Sequence, residues 1–489
     1  MSVKPRRAVR LSIPAGLAVV FAGLCALAAM AFALSQNGTG KAPQAVTDPG
    51  VRSGGPGAGT PLSGLTATQT TAFNDGQISF EATFNVPAPL NSNSTTGGLG
   101  PGFNSNSCVS CHMQPAPGGG SAYDLPGGTV SQNPLYGVYQ ANGATNTMPS
   151  FELVNGPELI ARFPDMSTNL TIPDGTVHQL FTITGRTDNF KNCNLAQPNF
   201  AQAASENNLV TRQPIETFGD GLIEIIPNIT IINQAASECS SQAQTGVCGT
   251  VSVDEHAGDV NRLGWKAQWR GLMMAASEEM NVEMGVTNEF FPAEVNPTVA
   301  ACLGNPVPET GTNFISTIQF DQFTGDPERL EMFMNFLAPP SPARFTTQAL
   351  QGQTDFINIG CTNCHLQQYT TAMNASMGPF LSNKNITLYS DLLLHHMGNC
   401  LADNIAQGSA KGDMWRTPPL WGAGKRVFFM HDGRTSNILT AIYDHSDQDC
   451  IGGIGATGYQ ASEANNAVAA FAALGAQDQQ DVLDFLRDL

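Results

Sequence analysis

The chain has 489 residues and a formal net charge of -18, with 41% hydrophobic and only 13% charged side chains. Such a length allows about two to four domains, and so acidic a surface repels nucleic acid and anionic lipid and either favours a small cationic protein or serves solubility alone. Few charges beside 50 glycines and 31 prolines predict long ordered loops wrapped around bound cofactors, which supply core that the chain lacks.

The N-terminus opens with Lys4, Arg6, Arg7 and Arg10, followed by an apolar stretch from Ile13 to Leu34. Ala31 and Ala33 fit an A-x-A cleavage signal, so residues 1–34 read as a signal peptide. The stretch is also long enough to stay as a membrane anchor. Either way the body lies outside the cytoplasm, in the periplasm of a bacterium. Residues 35–75 are rich in Gly, Pro, Ser and Thr without apolar periodicity and read as a flexible linker.

Apolar content rises from about Gly76, and a Gly-rich run (Gly97 to Asn104) leads into Cys108-Val109-Ser110-Cys111-His112. C-x-x-C-H is the attachment sequence of a c-type haem: two thiols add to the vinyl groups and the His becomes the proximal iron ligand. A lone C-x-x-C would serve equally as a dithiol or half a zinc site. The second copy, Cys361-Thr362-Asn363-Cys364-His365, makes those readings poor. Phe103 and Phe356 each stand five residues before the first cysteine, a matching flank.

Residues from about 120 to 250 read as an irregular insertion with short β hairpins over the first haem. Val177 to Ile183 and Leu222 to Ile232, the latter interrupted by Pro227, alternate like strands. A Met- and Ala-rich helix ends at Glu283-Met284-Gly285 and reads as core. The Pro-rich joint from Pro339 to Arg344 marks a domain boundary. A helix over Thr347 to Ile359 carries Gly352 and Phe356, and Val482, Leu483, Phe485, Leu486 and Leu489 share one face of a closing helix over Asp478 to Leu489. Helix, haem motif, loops and closing helix is the order of a cytochrome c domain. The expected fold is mainly α: an N-terminal haem domain over 76–340, interrupted by the long loop and short-β insertion, and a C-terminal cytochrome c-like haem domain over 341–489.

Of 11 cysteines, Cys25 lies in the export segment and four belong to the motifs. The remaining six, Cys193, Cys239, Cys248, Cys302, Cys400 and Cys450, allow up to three disulfides in an oxidising compartment. Cys239 with Cys248 and Cys400 with Cys450 are the first pairings expected.

Several stretches together resemble the di-haem c-type oxidoreductases related to bacterial di-haem cytochrome c peroxidase. They are Gly98 to Asn104 before the first motif, Gly264-Trp265-Lys266-Ala267, Met284 to Asn288, Tyr389 to His395 with Met397-Gly398, Trp415 to Gly422, and His431-Asp432-Gly433-Arg434. The resemblance runs from about residue 76 to the C-terminus and implies two covalent haems, peroxide as oxidant and a cationic cytochrome c as electron donor. A calcium ion between domains occurs in such peroxidases, although no ligand cluster in this sequence demands one.

His112 and His365 are the proximal ligands. Laid over the helix that carries the sixth ligand in the peroxidases, Ile438 to His445 puts His445 at that position, with Tyr443 as the substitute. A His there in place of Met implies a lower potential. Trp265 is similar in position to the tryptophan between the two haems, and Glu283 to the distal glutamate that moves the peroxide proton. Arg416 and Arg434 suit buried haem propionates. His431 reads as a turn residue bonded to Asp432, Met414 and Met430 as core, and His395 and His396 as loop-orienting. No His follows His112 closely, as one does in the peroxidases, so the first iron is expected open unless His178, His256 or Met148 reaches it. Two other readings stay open: an electron-transfer cytochrome with both irons saturated, and a rubber-oxygenase-like dioxygenase.

Overall fold

The computed structural model describes residues 45–84, 98–121, 134–138, 146–164, 175–182, 195–254, 257–295, 310, 325–373, 378–448 and 458–489. In chain order the helices of five or more residues are α1 (Ala67–Glu81), α2 (Phe200–Ser205), α3 (Asp220–Glu224), α4 (Asn228–Thr245), α5 (Leu272–Met284), α6 (Asp326–Phe336), α7 (Thr347–Asn358), α8 (Ile438–Asp444), α9 (Asn465–Ala472) and α10 (Ala476–Asp488). The strands are β1 (Gly102–Phe103), β2 (Ile160–Arg162), β3 (Val177–His178), β4 (Phe181–Thr182), β5 (Val210–Arg212), β6 (Ser252–Val253), β7 (Val260–Asn261), β8 (Tyr369–Thr370), β9 (Asn385–Ile386), β10 (Leu394–His396) and β11 (Met414–Arg416). No described strand exceeds three residues, so helices and loops carry the fold. β3, β2 and β5 form one antiparallel sheet in that order; β1 pairs with β4, β6 with β7, β8 with β9, and β10 with β11.

Two helix crossings around glycine organise the body, which runs from Thr47 to Leu489 as one unit. Thr66 opens α1 with a capping box, its side chain accepting from the N–H of Gln69 while the Gln69 side chain takes the N–H of Thr66. At Gly76 this helix meets α6 so closely that a Cβ would lie 2.3 Å from the carbonyl oxygen of Arg329. The same contact recurs later. Thr346 caps α7, and at Gly352 a Cβ would lie 1.8 Å from the carbonyl oxygen of Asp481 in α10. Any side chain there would drive the two backbones apart.

A phenylalanine four residues after each glycine turns this packing toward a haem motif. Phe80 stands 6.2 Å from the His112 ring, and Phe356 stands 6.1 Å from the His365 ring. Phe356 therefore corresponds to Phe80, not to Phe103. Phe103 sits in β1 with its ring 5.6 Å from Phe181, so the matching flank is a coincidence of spacing. Helix α1 also begins within the stretch 35–75 that composition marks as linker.

The closing helix lies where its apolar face predicts, with Val482, Leu483, Phe485, Leu486 and Leu489 all buried. Phe485 alone touches Phe356, Phe345 and Tyr389 at 5.5–5.7 Å, and burying such a ring contributes about 1.5–3 kcal/mol. Leu222 to Ile232 corrects the strand expectation. It forms α3 and the start of α4, with Pro227 as the cap between them. Ile231, Ala235 and Glu238 are the buried positions of α4, a helical period that the local apolar run conceals.

The Cys239–Cys248 disulfide is present. Cys400 is also disulfide-bonded, while Cys450, Cys193 and Cys302 lie outside the described residues. So do residues 1–34. Among the described residues no helix is long and apolar enough to cross a membrane.

Candidate functional site

Both C-x-x-C-H segments fold into the same tight turn. Cys108–Ser110 and Cys361–Asn363 are 3-10 turns, and the N–H groups of His112 and His365 donate to the carbonyls of Cys108 and Cys361 at 3.0 and 2.9 Å. The four thiols are free, although Cys239 and Cys248 are joined. His112 Nδ1 bonds the carbonyl of Gly119 at 3.0 Å, and His365 Nδ1 bonds that of Tyr389 at 2.9 Å. A carbonyl can only accept, so each Nδ1 carries the proton and each Nε2 is left for a metal. Burial pushes both imidazoles down to about 4, which keeps them neutral near pH 7. Tyr389 adopts φ 50°, a strained choice for a bulky residue that aims its carbonyl at His365. Two free thiols and one neutral imidazole per turn fit one covalently held haem each.

The second turn opens on a large cavity lined by His365, His445, Trp265, Arg416, Arg426 and His431, among others. The His365 and His445 rings are 6.5 Å apart. An ion bound to both imidazoles at about 2 Å would set their centroids about 6 Å apart, so the gap fits one metal between them. His445 Nδ1 bonds the carbonyl of Ala441 at 2.6 Å, which leaves its Nε2 free as well. Asn437 caps α8 and so fixes where this helix ends. Tyr443, the substitute ligand, does not line the cavity; it is exposed and rests on Phe471.

The same cavity reaches Gln114, Gly120 and Ser121, in the loop behind His112. Trp265 lies along it, its indole N–H donating to the carbonyl of Gln213 at 2.8 Å and its own carbonyl accepting from the N–H of Arg416 at 2.9 Å. The Arg416 guanidinium bonds the carbonyl of Gly264 at 2.7 Å and is fully inside. Arg426, which no local motif singles out, also lines the cavity and pairs with Glu216 at 2.6 Å.

Two expectations change here. Arg434 does not line the cavity. Its guanidinium is taken by Asp432 at 2.6–3.0 Å, and that carboxylate is the partner which displaces a propionate role. With Asp432 so occupied, His431 is 3.9 Å from it, beyond hydrogen-bond reach. The imidazole stacks on Trp415 instead, at 3.8 Å and 16°. Lys266, fully buried and paired with Asp403 at 3.0 Å, covers the same indole at 4.1 Å.

The first turn faces a carboxylate set. Glu283, at the end of α5, accepts from the side-chain amide of Asn104 at 2.7 Å, and its carbonyl accepts from the N–H groups of Asn104 and Ser105. Gly100 and Gly285 touch backbone to backbone, which explains the Gly-rich run before the motif: a Cβ at either would sit 2.6–2.7 Å from the other strand of chain. Burial raises the Glu283 carboxyl, while Asn104 and the charge of Arg162 oppose that rise. The thiols of Cys108 and Cys111 both feel Glu283's charge. Asn104 ends the Gly-rich run before the first motif, yet no local signal gives it a role. The partner four residues before Glu283 is Glu279, and helical spacing alone could have found it.

His178 is sealed against Phe163 with ring centroids 3.8 Å apart, while His256 lies outside the described residues. His395 bridges Asp391 and Glu463 at 2.9 and 2.8 Å, and His396 bonds Asp413 at 2.7 Å. Cys364, Asp391 and His395 come close enough together to hold an ion, but a thiol is no ligand for calcium.

A family model described as "Di-haem oxidoreductase, putative peroxidase" matches residues 165–487, which takes in the second C-x-x-C-H and not the first. No curated protein sequence matches the chain. Similar solved structures include a MauG-like protein associated with microbial copper homeostasis, at 15% identity and TM-score 0.28, covering 54% of this chain and 89% of that one. Another is the diheme peroxidase BthA from Burkholderia thailandensis, at 13% identity and TM-score 0.28, covering 68% and 95%. A point variant of BthA matches at 16% identity and TM-score 0.27, covering 48% and 67%.

Proposed function

The chain belongs to the di-haem oxidoreductase family of peroxidase-like enzymes, and from that membership we propose that it is an exported enzyme reducing peroxide in its N-terminal pocket with electrons entering through the C-terminal one. Cys108 and Cys111 would tether one haem c, and Cys361 and Cys364 the other. When bound, the haems would supply one-electron redox chemistry. His112 and His365 would hold the two irons, with His445 as a second ligand facing His365 across the cavity, and Arg416 would be placed to offset the charge of a haem propionate. Trp265 provides the aromatic step between the two pockets.

The observation that supports peroxide reduction most directly is Glu283 held by Asn104 at 2.7 Å beside the first motif. Reduction of peroxide to two waters consumes two protons and two electrons. Glu283 takes a proton from one peroxide oxygen and returns it to the other, so that water leaves. The acidic surface suits a small cationic cytochrome c as donor. Residues 1–34 direct the chain to the periplasm, as a cleaved signal or as a tether.

The test is turnover of hydrogen peroxide by the haem-loaded protein with reduced, basic cytochrome c. Glu283→Gln should lower kcat by at least about 100-fold. A wild-type protein with no turnover, both irons six-coordinate in every redox state, would leave an electron carrier in place of an enzyme.

A further inference from the structure

Glu283 is not alone on its helix. Glu279 lies one turn earlier on α5, so the two side chains share a face. Each carboxyl acts on the other's ionisation. Two neighbouring carboxyls drawn away from water resist carrying charge together, which favours one proton between them.

The surroundings decide which carboxyl holds it. Leu180 donates its N–H to Asn104 Oδ1 at 2.7 Å, which fixes the amide so that its NH2 group points at Glu283. Glu283 must therefore accept, and this bond favours its charged form against the opposing effect of burial. Glu279 has Glu278 beside it and Glu283 above it, both acidic, and Arg162 as its basic neighbour. Burial raises Glu279 and the charge of Glu283 raises it further. The charge of Arg162 from β2 acts on both carboxyls, and Cys108 feels Glu279 as well as Glu283.

We infer that Glu279 and Glu283 form a one-proton dyad at the first haem motif, in which Glu279 stores the proton and Asn104 holds Glu283 as the carboxylate that moves it. This deepens the peroxidase reading above and rests on it. Each turnover takes two protons and two electrons into one hydrogen peroxide and yields two waters, the electrons coming from the one-electron donor protein. Glu283 can redistribute only the proton that peroxide brings. Glu279 supplies one of the two that must be added and recovers it from solvent. Glu283 touches the substrate; Glu279 and Asn104 are positioning residues that act through it.

The experiment compares haem-loaded wild type, Glu279→Gln, Glu283→Gln and Asn104→Ala. Infrared difference spectra at pH 7 report protonated carboxyls directly, without turnover. Wild type minus Glu279→Gln should show one protonated-acid carbonyl band. In Glu283→Gln, with its charged partner removed, that band should titrate away at lower pH than in wild type. In steady state, Glu279→Gln should lose about tenfold in kcat with little change in KM, the size of one proton-delivery contact. Asn104→Ala should move the acidic limb of the kcat profile to higher pH, which a merely structural loss would not do. If the Glu279→Gln difference spectrum lacks the band, the dyad is overturned, whatever the kinetics. If the band behaves as expected but no variant nor the wild type turns over peroxide, the dyad stands as a buried proton site and the peroxidase reading falls.

Discussion

Gly352→Ala probes the helix crossing that seats the second haem motif. The added carbon would lie 1.8 Å from the carbonyl oxygen of Asp481 and 2.2 Å from its carbonyl carbon, where real side-chain carbons stay beyond 3.0 Å. Both atoms are backbone, so no rotamer change relieves the contact. The helices α7 and α10 must part by at least about 1.2 Å, the shortfall between 1.8 and 3.0 Å. Overpacking of this kind costs about 3 kcal/mol, the upper end of the usual range. If residues 341–489 melt as a unit, Tm falls by about 6–12 °C. Phe356 lies one turn along α7 and would move with it, loosening its contact with His365. Calorimetry of the haem-loaded protein measures the first effect, and electron paramagnetic resonance of the ferric protein measures the second. The low-spin signal of the second haem should broaden or shift while the first is unchanged. Gly55→Ala is the control, because an added carbon there meets nothing within 4 Å. A Gly352→Ala protein that melts with the wild type would refute the reasoning.

His445→Met should raise the reduction potential of the C-terminal haem by more than about 59 mV, the one-electron equivalent of a tenfold shift, because thioether ligation favours ferrous iron; potentiometry showing no change would remove His445 from the iron. Asp48 accepts from Arg487 at 2.6–2.8 Å and from the N–H of Ile438 at 2.7 Å, clasping the segment around residue 48 to α8 and α10. Burial alone would raise this carboxyl, but the guanidinium and the N–H groups hold it below its ordinary value. A depressed acid stabilises above its unfolded value of about 4 and loses that contribution as pH falls through the folded value. Asp48→Asn should therefore lower Tm at pH 7, with the difference closing below about pH 4; a difference that is constant from pH 7 to pH 3 would count against it.

The haem motifs, the Met-rich helix and the closing helix were legible because each is carried by residues close together in the chain. Spacing of two residues places two thiols on one turn, and a period near four places Val482 and Leu486 on one face. Leu222 to Ile232 was misread for the same reason. An apolar run interrupted by a proline satisfies either period locally, and only packing of Ile231 and Ala235 into the core selects helix.

What local pattern cannot carry is the pairing of distant residues. The amino-acid order by itself determined that two C-x-x-C-H segments form matching turns with four free thiols, and that His445 ends a short helix. The tertiary structure alone decided that Asn104 reaches Glu283 across 179 positions, that Asp432 claims Arg434, and that His431 leaves its neighbour to stack on Trp415. A side chain's partner is chosen by which groups compete for it once buried, and that competition exists only after the chain has closed around them.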